Sequence, residues 1–202
     1  MYEDFLNRNR NKDCVKQAID DAFLTEYIDK APKELLALWQ EVGLGCFDNG
    51  LFRIINPADY TDYVYNYIED RESQFEYLVP FMTSAFGDIF AWVKDIRQNE
   101  EYSIFINVRK GYWNLITTDI SLLFAHYVRI KSYLEHYFAI KDSDYLSLVK
   151  RLGTPKVDEC FGYVPALALG GSKSLKNIQI VKMASYIELI AQAIGTFDLK
   201  VG

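Results

Sequence analysis

The chain has 202 residues, 50% of them hydrophobic and 25% charged, a composition typical of globular proteins that excludes a disordered chain. Its 28 acidic residues outnumber its 22 Lys and Arg residues, and the net charge of −6 argues against direct nucleic-acid binding through a basic surface. Because the sequence shows neither a signal-peptide core nor an apolar run long enough to span a bilayer, we expect a cytoplasmic protein without membrane contact.

Two amphipathic helices are predicted at the start of the chain. Apolar residues between Val15 and Tyr27 recur at helical spacing, which predicts a helix over residues 12–29. A second helix follows Pro32 and ends at Gly43, a typical C-terminal cap. Its apolar face consists of Leu35, Leu38, Trp39 and Val42.

A short strand and an acidic helix are predicted next. The Asn49-Gly50 pair indicates a turn into a strand over residues 51–55. Asn56 then caps a helix that begins at Pro57 and runs to about residue 70. The side of this helix that we expect to be exposed carries Asp59, Asp62, Tyr63, Asn66 and Asp70.

The acidic helix belongs to a stretch with a strong local charge imbalance. Residues 57–101 contain ten acidic and three basic residues, and tyrosines alternate with the acids near the start of this stretch. An interface for a basic protein has this composition, because Tyr supplies contact area while carboxylates steer association. A solvated acidic face with no partner is the alternative interpretation.

Strands dominate the middle of the chain. Apolar residues on both sides of residues 89–93 predict a strand that is covered on both faces. Residues 104–108 and 112–117 are predicted to form a hairpin around Arg109-Lys110-Gly111.

Helical periodicity returns at residues 120–150 and ends at Gly153. A strand-like segment over 162–169, a last strand over 177–182 and a closing helix over 184–194, with Ile194 facing inward, complete the chain. Helices and strands in this mixed order predict an α+β fold with a mixed, mainly antiparallel sheet flanked by helices.

The sequence offers no convincing catalytic or metal-binding constellation. His126 and His136 are ten residues apart, which is not the spacing of a helical metal pair, and the three cysteines form no C-x-x-C motif. Acidic neighbours of Cys160 would raise the pKa of its thiol. The segment 170–174 departs from a phosphate-binding loop at two positions. We therefore expect no enzymatic activity, no metal and no cofactor.

Two segments resemble a known family of proteins. The sequence DECFGYVPALALGG at residues 158–171, followed by residues 181–192, resembles the C-terminal domain of type VI secretion immunity proteins. Residues 32–60 resemble the GAD-like domain that accompanies it, and residues 85–90 match the family's strand at the junction. The order of the predicted elements near the start of the chain also resembles the SUKH superfamily of immunity proteins.

The resemblance implies a cytoplasmic bacterial antitoxin that neutralises a cognate toxin, which in the best-known relatives is a DNase delivered by type VI secretion. It implies a SUKH-like architecture, with a GAD-like part over 1–118 and an immunity part over 119–202 sharing one core. It transfers no catalytic residue. The family motif contains five positions that we interpret as structural, namely Phe161, Gly162, Pro165, Gly170 and Gly171.

Two hypotheses about binding remain open. The acidic helix is the first candidate for the toxin-binding surface, because a nuclease carries a basic groove that an acidic protein can occupy. The segment 161–169 is a competing candidate if its apolar side chains are exposed. A small-ligand-binding or enzymatic protein, with a pocket near the Gly170-Gly171 segment, is the alternative to an immunity function.

Overall fold

The architecture is that of an α+β protein, which confirms the expected fold class. A computed structural model of the chain describes residues 2, 17–65, 68, 74–127, 135 and 141–199. Within these residues, a seven-stranded sheet carries helices on both faces, and a separate two-stranded sheet packs beside it.

The seven strands of the large sheet follow the chain order with one exception. Strands β1 to β6 pair antiparallel, each with the next, and β9 returns to pair parallel with β6 at the edge. Strands β7 and β8 form the antiparallel two-stranded sheet. The strands are β1 (Gly45–Phe47), β2 (Phe52–Ile54), β3 (Phe75–Ser84), β4 (Ile89–Asp95), β5 (Glu100–Asn107), β6 (Tyr112–Thr117), β7 (Glu159–Tyr163), β8 (Ile178–Lys182) and β9 (Asp198–Leu199).

The described helices are short, and they are connected by several single 3₁₀ turns. The helix over Ile120–Leu122 continues into a wide helical turn over Leu123–Tyr127. The helices are α1 (Asp21–Tyr27), α2 (Lys33–Val42), α3 (Thr61–Tyr65), α4 (Ile120–Leu122), α5 (Asp142–Leu152) and α6 (Met183–Ile194).

Both faces of the sheet are buried, as the composition of β4 predicts. Phe90 and Trp92 face the cluster that contains α2 and α5, while Ala91 and Val93 face the cluster that contains α6. Each fully buried side chain of this size stabilises the fold by roughly 1.5–3 kcal/mol relative to exposure, so the two layers account for most of the stabilisation. Residues from both the N-terminal and the C-terminal parts of the chain enter each cluster.

Several predicted elements are confirmed. Helix α2 ends at Gly43, whose N–H donates to the Trp39 carbonyl at 2.8 Å and whose φ of 75° suits glycine. The hairpin of β5 and β6, the strand β8 and the helix α6 also occur where they are predicted. Ile194 faces inward only in part: its Cδ1 packs against Gly111, but 41% of the residue stays exposed.

The first predicted helix is wrong in length. The Asp20 carboxylate accepts a hydrogen bond from the Phe23 N–H and caps α1, so the helix begins at Asp21 rather than at residue 12. Gln17 instead forms an isolated antiparallel bridge with Leu44. Residues 12–16 lie outside the described part of the chain.

The predicted helix over 57–70 is divided. Asn56 accepts a hydrogen bond from the Ala58 N–H at 3.1 Å, as the predicted cap requires. A 3₁₀ turn over Pro57–Asp59 stops at Tyr60, whose φ of −124° is not helical, and α3 follows it. The Tyr60 hydroxyl donates to the Val157 carbonyl, so a long-range contact interrupts a locally favourable helix.

The C-terminal half requires two further corrections. The strand predicted over 162–169 lies earlier, as β7, and Pro165 follows it in a cis peptide bond before a 3₁₀ turn over Leu167–Leu169. The predicted 120–150 helix is described as α4 with its wide turn and then α5, which ends at Gly153 as predicted.

Asp95 at the end of β4 provides a test of acid stability. Burial opposes its ionisation, but hydrogen bonds from Tyr102 and from the N–H groups of Gln98 and Arg97 hold its pKa below the ordinary value for Asp. A depressed carboxyl pKa stabilises the fold above pH about 4, and this contribution disappears as the pH falls through the lower folded-state value.

We therefore expect Asp95→Asn to reduce the free energy of unfolding at pH 7 by about 2 kcal/mol, because hydrogen bonds to a charged acceptor are lost. Urea unfolding at pH 7 and pH 3 measures this difference, which should shrink at the lower pH. A difference that persists undiminished at pH 3 would contradict the assignment.

Candidate partner-binding surface

The segment from Asn56 to α3 presents part of the predicted acidic surface. Tyr60 and Val64 are buried and hold this segment against the protein. Asp59, Asp62 and Tyr63 point outward and are exposed. Asn66 and Asp70, the other two predicted members, lie outside the described residues.

The carboxylates of this surface have no basic partner among the described residues. Neither Asp59 nor Asp62 forms an ion pair within the described part of the chain. Glu26 of α1 adds to the same region, since burial, Glu26 and Asp59 together raise the pKa of Tyr27 to about 12 and its hydroxyl contacts the Ala58 backbone. The exposed carboxylates therefore come from two elements that meet at residues 58–59.

The acid-rich stretch is less acidic at the surface than its sequence indicates. Asp88 and Asp95 are buried, and Asp88 is paired with Arg109. Glu101 accepts hydrogen bonds from Tyr77 at 2.8 Å and from the Trp92 indole at 3.3 Å. These acids support the fold, whereas Asp59, Asp62 and Glu100 are exposed acids of this stretch that form no ion pair within the described residues.

The competing segment over 161–169 is partly core. Phe161 is fully buried and packs against Phe86 and Tyr145, with ring centroids 5.7 and 6.1 Å apart. The hypothesis that Phe161 is exposed is therefore wrong. Val164 and Leu169 are exposed at the end of the segment.

Two of the three glycines of this motif lie where another part of the chain approaches closely. A Cβ on Gly162 would lie 2.7 Å from a Val181 methyl and 2.9 Å from the Tyr186 ring. Gly170 has a φ of 79° but open space around it, whereas a Cβ on Gly171 would lie 1.9 Å from the Pro165 carbonyl oxygen. Gly171 also donates its N–H to the Ala166 carbonyl at 3.0 Å, which closes the turn.

Arg53 is a buried residue whose role the sequence analysis missed. It stands in β2 with no exposed surface, and it donates to the carbonyls of Pro155 at 2.8 Å and Glu159 at 2.7 Å. A lone charged residue inside the apolar strand predicted over 51–55 was the signal available in the sequence. Such a residue stays buried only when its donors find acceptors.

Asp88 and Arg109 form a second buried polar group. Their side chains are 0% and 3% exposed, and Arg109 contacts both carboxylate oxygens, at 2.7 and 3.3 Å. Ser84 donates to the same carboxylate, and the guanidinium lies 5.0 Å from the centre of the Phe86 ring. Burial raises the pKa of Asp88, although the Arg109 charge acts in the opposite direction.

The described residues offer little nucleophilic or metal chemistry. Burial raises the pKa of the Cys160 thiol to about 12, so it is protonated at neutral pH. No group of three or more His, Cys, Asp or Glu side chains in the described ranges is arranged to hold a metal ion. His136 lies outside those ranges. No helix within them is both long and apolar enough to cross a membrane.

Comparisons with known proteins match two parts of the chain. The GAD-like domain model matches residues 1–107, and the model of the C-terminal domain of the type VI secretion immunity protein Tdi1 matches residues 122–193. The crystal structure of Atu4351 from Agrobacterium tumefaciens is similar in fold, with a TM-score of 0.70 and 21% identity, covering 98% of this chain and 91% of that one. Comparison with curated proteins gives no match.

Proposed function

This chain belongs to the GAD-like domain family, and we propose that it is a cytoplasmic immunity protein that binds and neutralises a cognate toxin delivered by type VI secretion. The observation that carries this proposal is the match of residues 122–193 to the C-terminal domain of the immunity protein Tdi1. That match supports an immunity role, and the identity of the toxin is part of the proposal.

We propose that the toxin is a nuclease and that the surface around Asp59 and Asp62 contacts its basic groove. A nuclease must present positive charge to nucleic acid, and uncompensated carboxylates can complement the same charges. Inhibition then follows from occupancy of the groove in a stoichiometric complex. The protein needs no catalytic group for this role, and the raised pKa of Cys160 supports a function without catalysis.

We also propose that the parts over 1–118 and 119–202 act as one unit. The hydrogen bonds from Arg53 to Pro155 and Glu159 and the pairing of β6 with β9 support this, because each joins the two parts. A toxin bound to one part would therefore be bound to a rigid whole.

The proposal is tested with the Asp59→Lys/Asp62→Lys variant. We expect a slower association with the toxin encoded by the neighbouring gene and weaker protection of cells, because rim charges mainly set association rates. Both side chains are exposed, so the melting temperature should stay nearly unchanged. Stopped-flow or biolayer measurements at two salt concentrations, with an inactivated toxin, give the rates.

A matched control variant replaces two exposed acids elsewhere, Glu100 and Glu188, with Lys, so that it changes the net charge by the same amount as the Asp59/Asp62 variant. If the Asp59/Asp62 variant and this control associate alike, at the parental rate and affinity, the acidic surface is a solvated face. Failure of the parent itself to bind the toxin would argue against the immunity proposal. A small molecule that copurifies with the parent would instead favour a ligand-binding protein.

A further inference from the structure

Side chains from the N-terminal part of the chain hold a turn at residues 155–159. Every second carbonyl in this turn accepts a hydrogen bond. Arg53 donates to the carbonyls of Pro155 and Glu159, and the Tyr60 hydroxyl donates to that of Val157 at 3.1 Å. Two side chains of the GAD-like part therefore hold a turn of the immunity part.

The turn is also closed within itself. The Glu159 N–H donates to the Lys156 carbonyl at 3.0 Å, and the Lys156 N–H donates to the Glu159 carboxylate at 3.1 Å. Its backbone is therefore constrained both internally and by Arg53. A surface that is ordered before binding loses less conformational entropy when a partner docks.

Burial of the charged Arg53 guanidinium in the core is energetically unfavourable. Arg53 forms no ion pair within the described residues, and its Nε has no hydrogen-bond partner there, so it is a buried cation held by carbonyls. An apolar side chain of similar volume often replaces a buried charge without loss of stability. What Arg53 adds is therefore the geometry of the turn, since its planar fork reaches two carbonyls at once.

The tip of the turn exposes an apolar side chain. Val157 is 61% exposed, the largest exposed fraction among the large apolar side chains in the described residues. An aliphatic side chain on a backbone that is already ordered can enter a pocket of a partner with little loss of conformational entropy.

The charges around the tip identify the partner's chemistry. At the turn itself, Lys182 contacts Asp158 at 2.7 Å and Glu159 at 3.2 Å, so these carboxylates are largely compensated. Lys156 adds to this compensation, since its charge helps to lower the pKa of both Asp158 and Glu159. Asp59 directly precedes Tyr60, whose hydroxyl bonds to the Val157 carbonyl, and burial together with Asp59 and Asp158 raises the pKa of Tyr60. The carboxylates that lack an ion pair among the described residues are those of the segment around Tyr60, Asp59 and Asp62.

We propose that Val157 is the apolar anchor of the toxin-binding surface, beside Asp59 and Asp62, and that Arg53 and Tyr60 are positioning residues that hold its turn. The occupant is the cognate toxin, through an apolar pocket bordered by Lys or Arg side chains. This inference rests on the proposed function and extends the binding surface onto the immunity part of the chain.

The test compares Val157→Arg with Ile96→Arg. Ile96 is also an exposed aliphatic residue, 50% accessible, but it follows the far end of β4. We expect Val157→Arg to weaken binding of the inactivated toxin from the neighbouring gene by about tenfold or more, and Ile96→Arg to leave it unchanged. Both melting temperatures should stay near that of the parent, and Val157→Ser replaces the arginine variant if its melting temperature falls.

The positioning role is tested by combining Tyr60→Phe with Val157→Ala. Tyr60→Phe keeps the ring and removes the hydroxyl, so we expect faster amide exchange at Val157 and Asp158 and a few-fold faster toxin dissociation. In the Val157→Ala background, Tyr60→Phe should add little further loss, whereas a general structural defect would add its full effect.

The outcomes separate this inference from the function on which it rests. A parent protein that does not bind the toxin contradicts the proposed function. A parent that binds, with Val157→Arg indistinguishable from Ile96→Arg, leaves the immunity proposal intact and overturns the role of the turn. Full additivity of Tyr60→Phe and Val157→Ala overturns the positioning role of Tyr60.

Discussion

Replacement of Asp88 by Asn is expected to reduce the free energy of unfolding by about 3–5 kcal/mol, because the buried Arg109 charge loses the carboxylate to which it donates twice. Arg109 is 3% exposed, and the loss of two contacts at 2.7 and 3.3 Å cannot be compensated by water without opening the core. The Phe86 ring beneath the guanidinium offers only a partial substitute. Equilibrium unfolding in urea measures the change from the shift of the midpoint.

Two variants control this experiment. Asp62→Asn removes the charge of an exposed carboxylate and should change the free energy of unfolding by no more than about 0.5 kcal/mol. The double variant Asp88→Asn/Arg109→Met removes both buried charges, so we expect it to be less destabilised than the sum of the single variants. A loss below about 1 kcal/mol for Asp88→Asn, or strict additivity in the double variant, would show that the pair contributes little.

Gly171→Ala is expected to reduce the free energy of unfolding by about 2–3 kcal/mol, the cost of forcing a methyl group into an occupied space. The atom in the way is the Pro165 carbonyl oxygen, 1.9 Å from the ideal Cβ position, and backbone cannot rotate aside as a side chain can. Thermal unfolding followed by circular dichroism, together with soluble yield, measures the effect. A Val side chain should be worse at this position.

The neighbouring Gly170 supplies the matched comparison. Its φ of 79° disfavours an L-residue, but a Cβ there would meet nothing within 4 Å, so Gly170→Ala should cost about 1–2 kcal/mol from the backbone alone. We therefore also predict that Gly171→Ala reduces the free energy of unfolding more than Gly170→Ala does. If Gly171→Ala melts like the parent and yet loses toxin binding, the segment is an interface and its interpretation as structural is wrong.

The elements that the sequence predicts well are those whose signals are local. Helix α2 combines an apolar stripe with a glycine cap, and β4 has apolar residues on both faces, so each pattern has one simple solution. The hairpin between β5 and β6 similarly depends on a turn whose Gly111 has a left-handed conformation.

Distant contacts explain the predictions that failed. Strand β3 escaped prediction because Pro80 interrupts its pattern, and the structure accommodates this proline at an irregularity of pairing between Pro80 and Met82. The helix predicted over 57–70 is instead divided at Tyr60, whose hydroxyl bonds to Val157, a residue far along the chain. Local propensity carries no information about such a partner.

The same limit applies to the candidate site. The exposure of Asp59, Asp62 and Tyr63 could be predicted from helical spacing alone. The burial of Asp88 could not be derived in the same way, because its partner Arg109 lies in another turn, 21 residues further along the chain. The role of Arg53 could not be predicted either, because the carbonyls of Pro155 and Glu159 that it binds lie far along the chain.

The parallel pairing of β9 with β6 has a consequence for the order of events at the ribosome. Tyr112 and Trp113 of β6 receive their partners, Asp198 and Leu199, only after the segment between them has been translated. Until then the nascent sheet presents unpaired N–H and C=O groups at the start of β6, the kind of edge through which growing chains associate with one another. Pairing with β9 covers these two residues and so shortens the edge for which neighbouring copies compete.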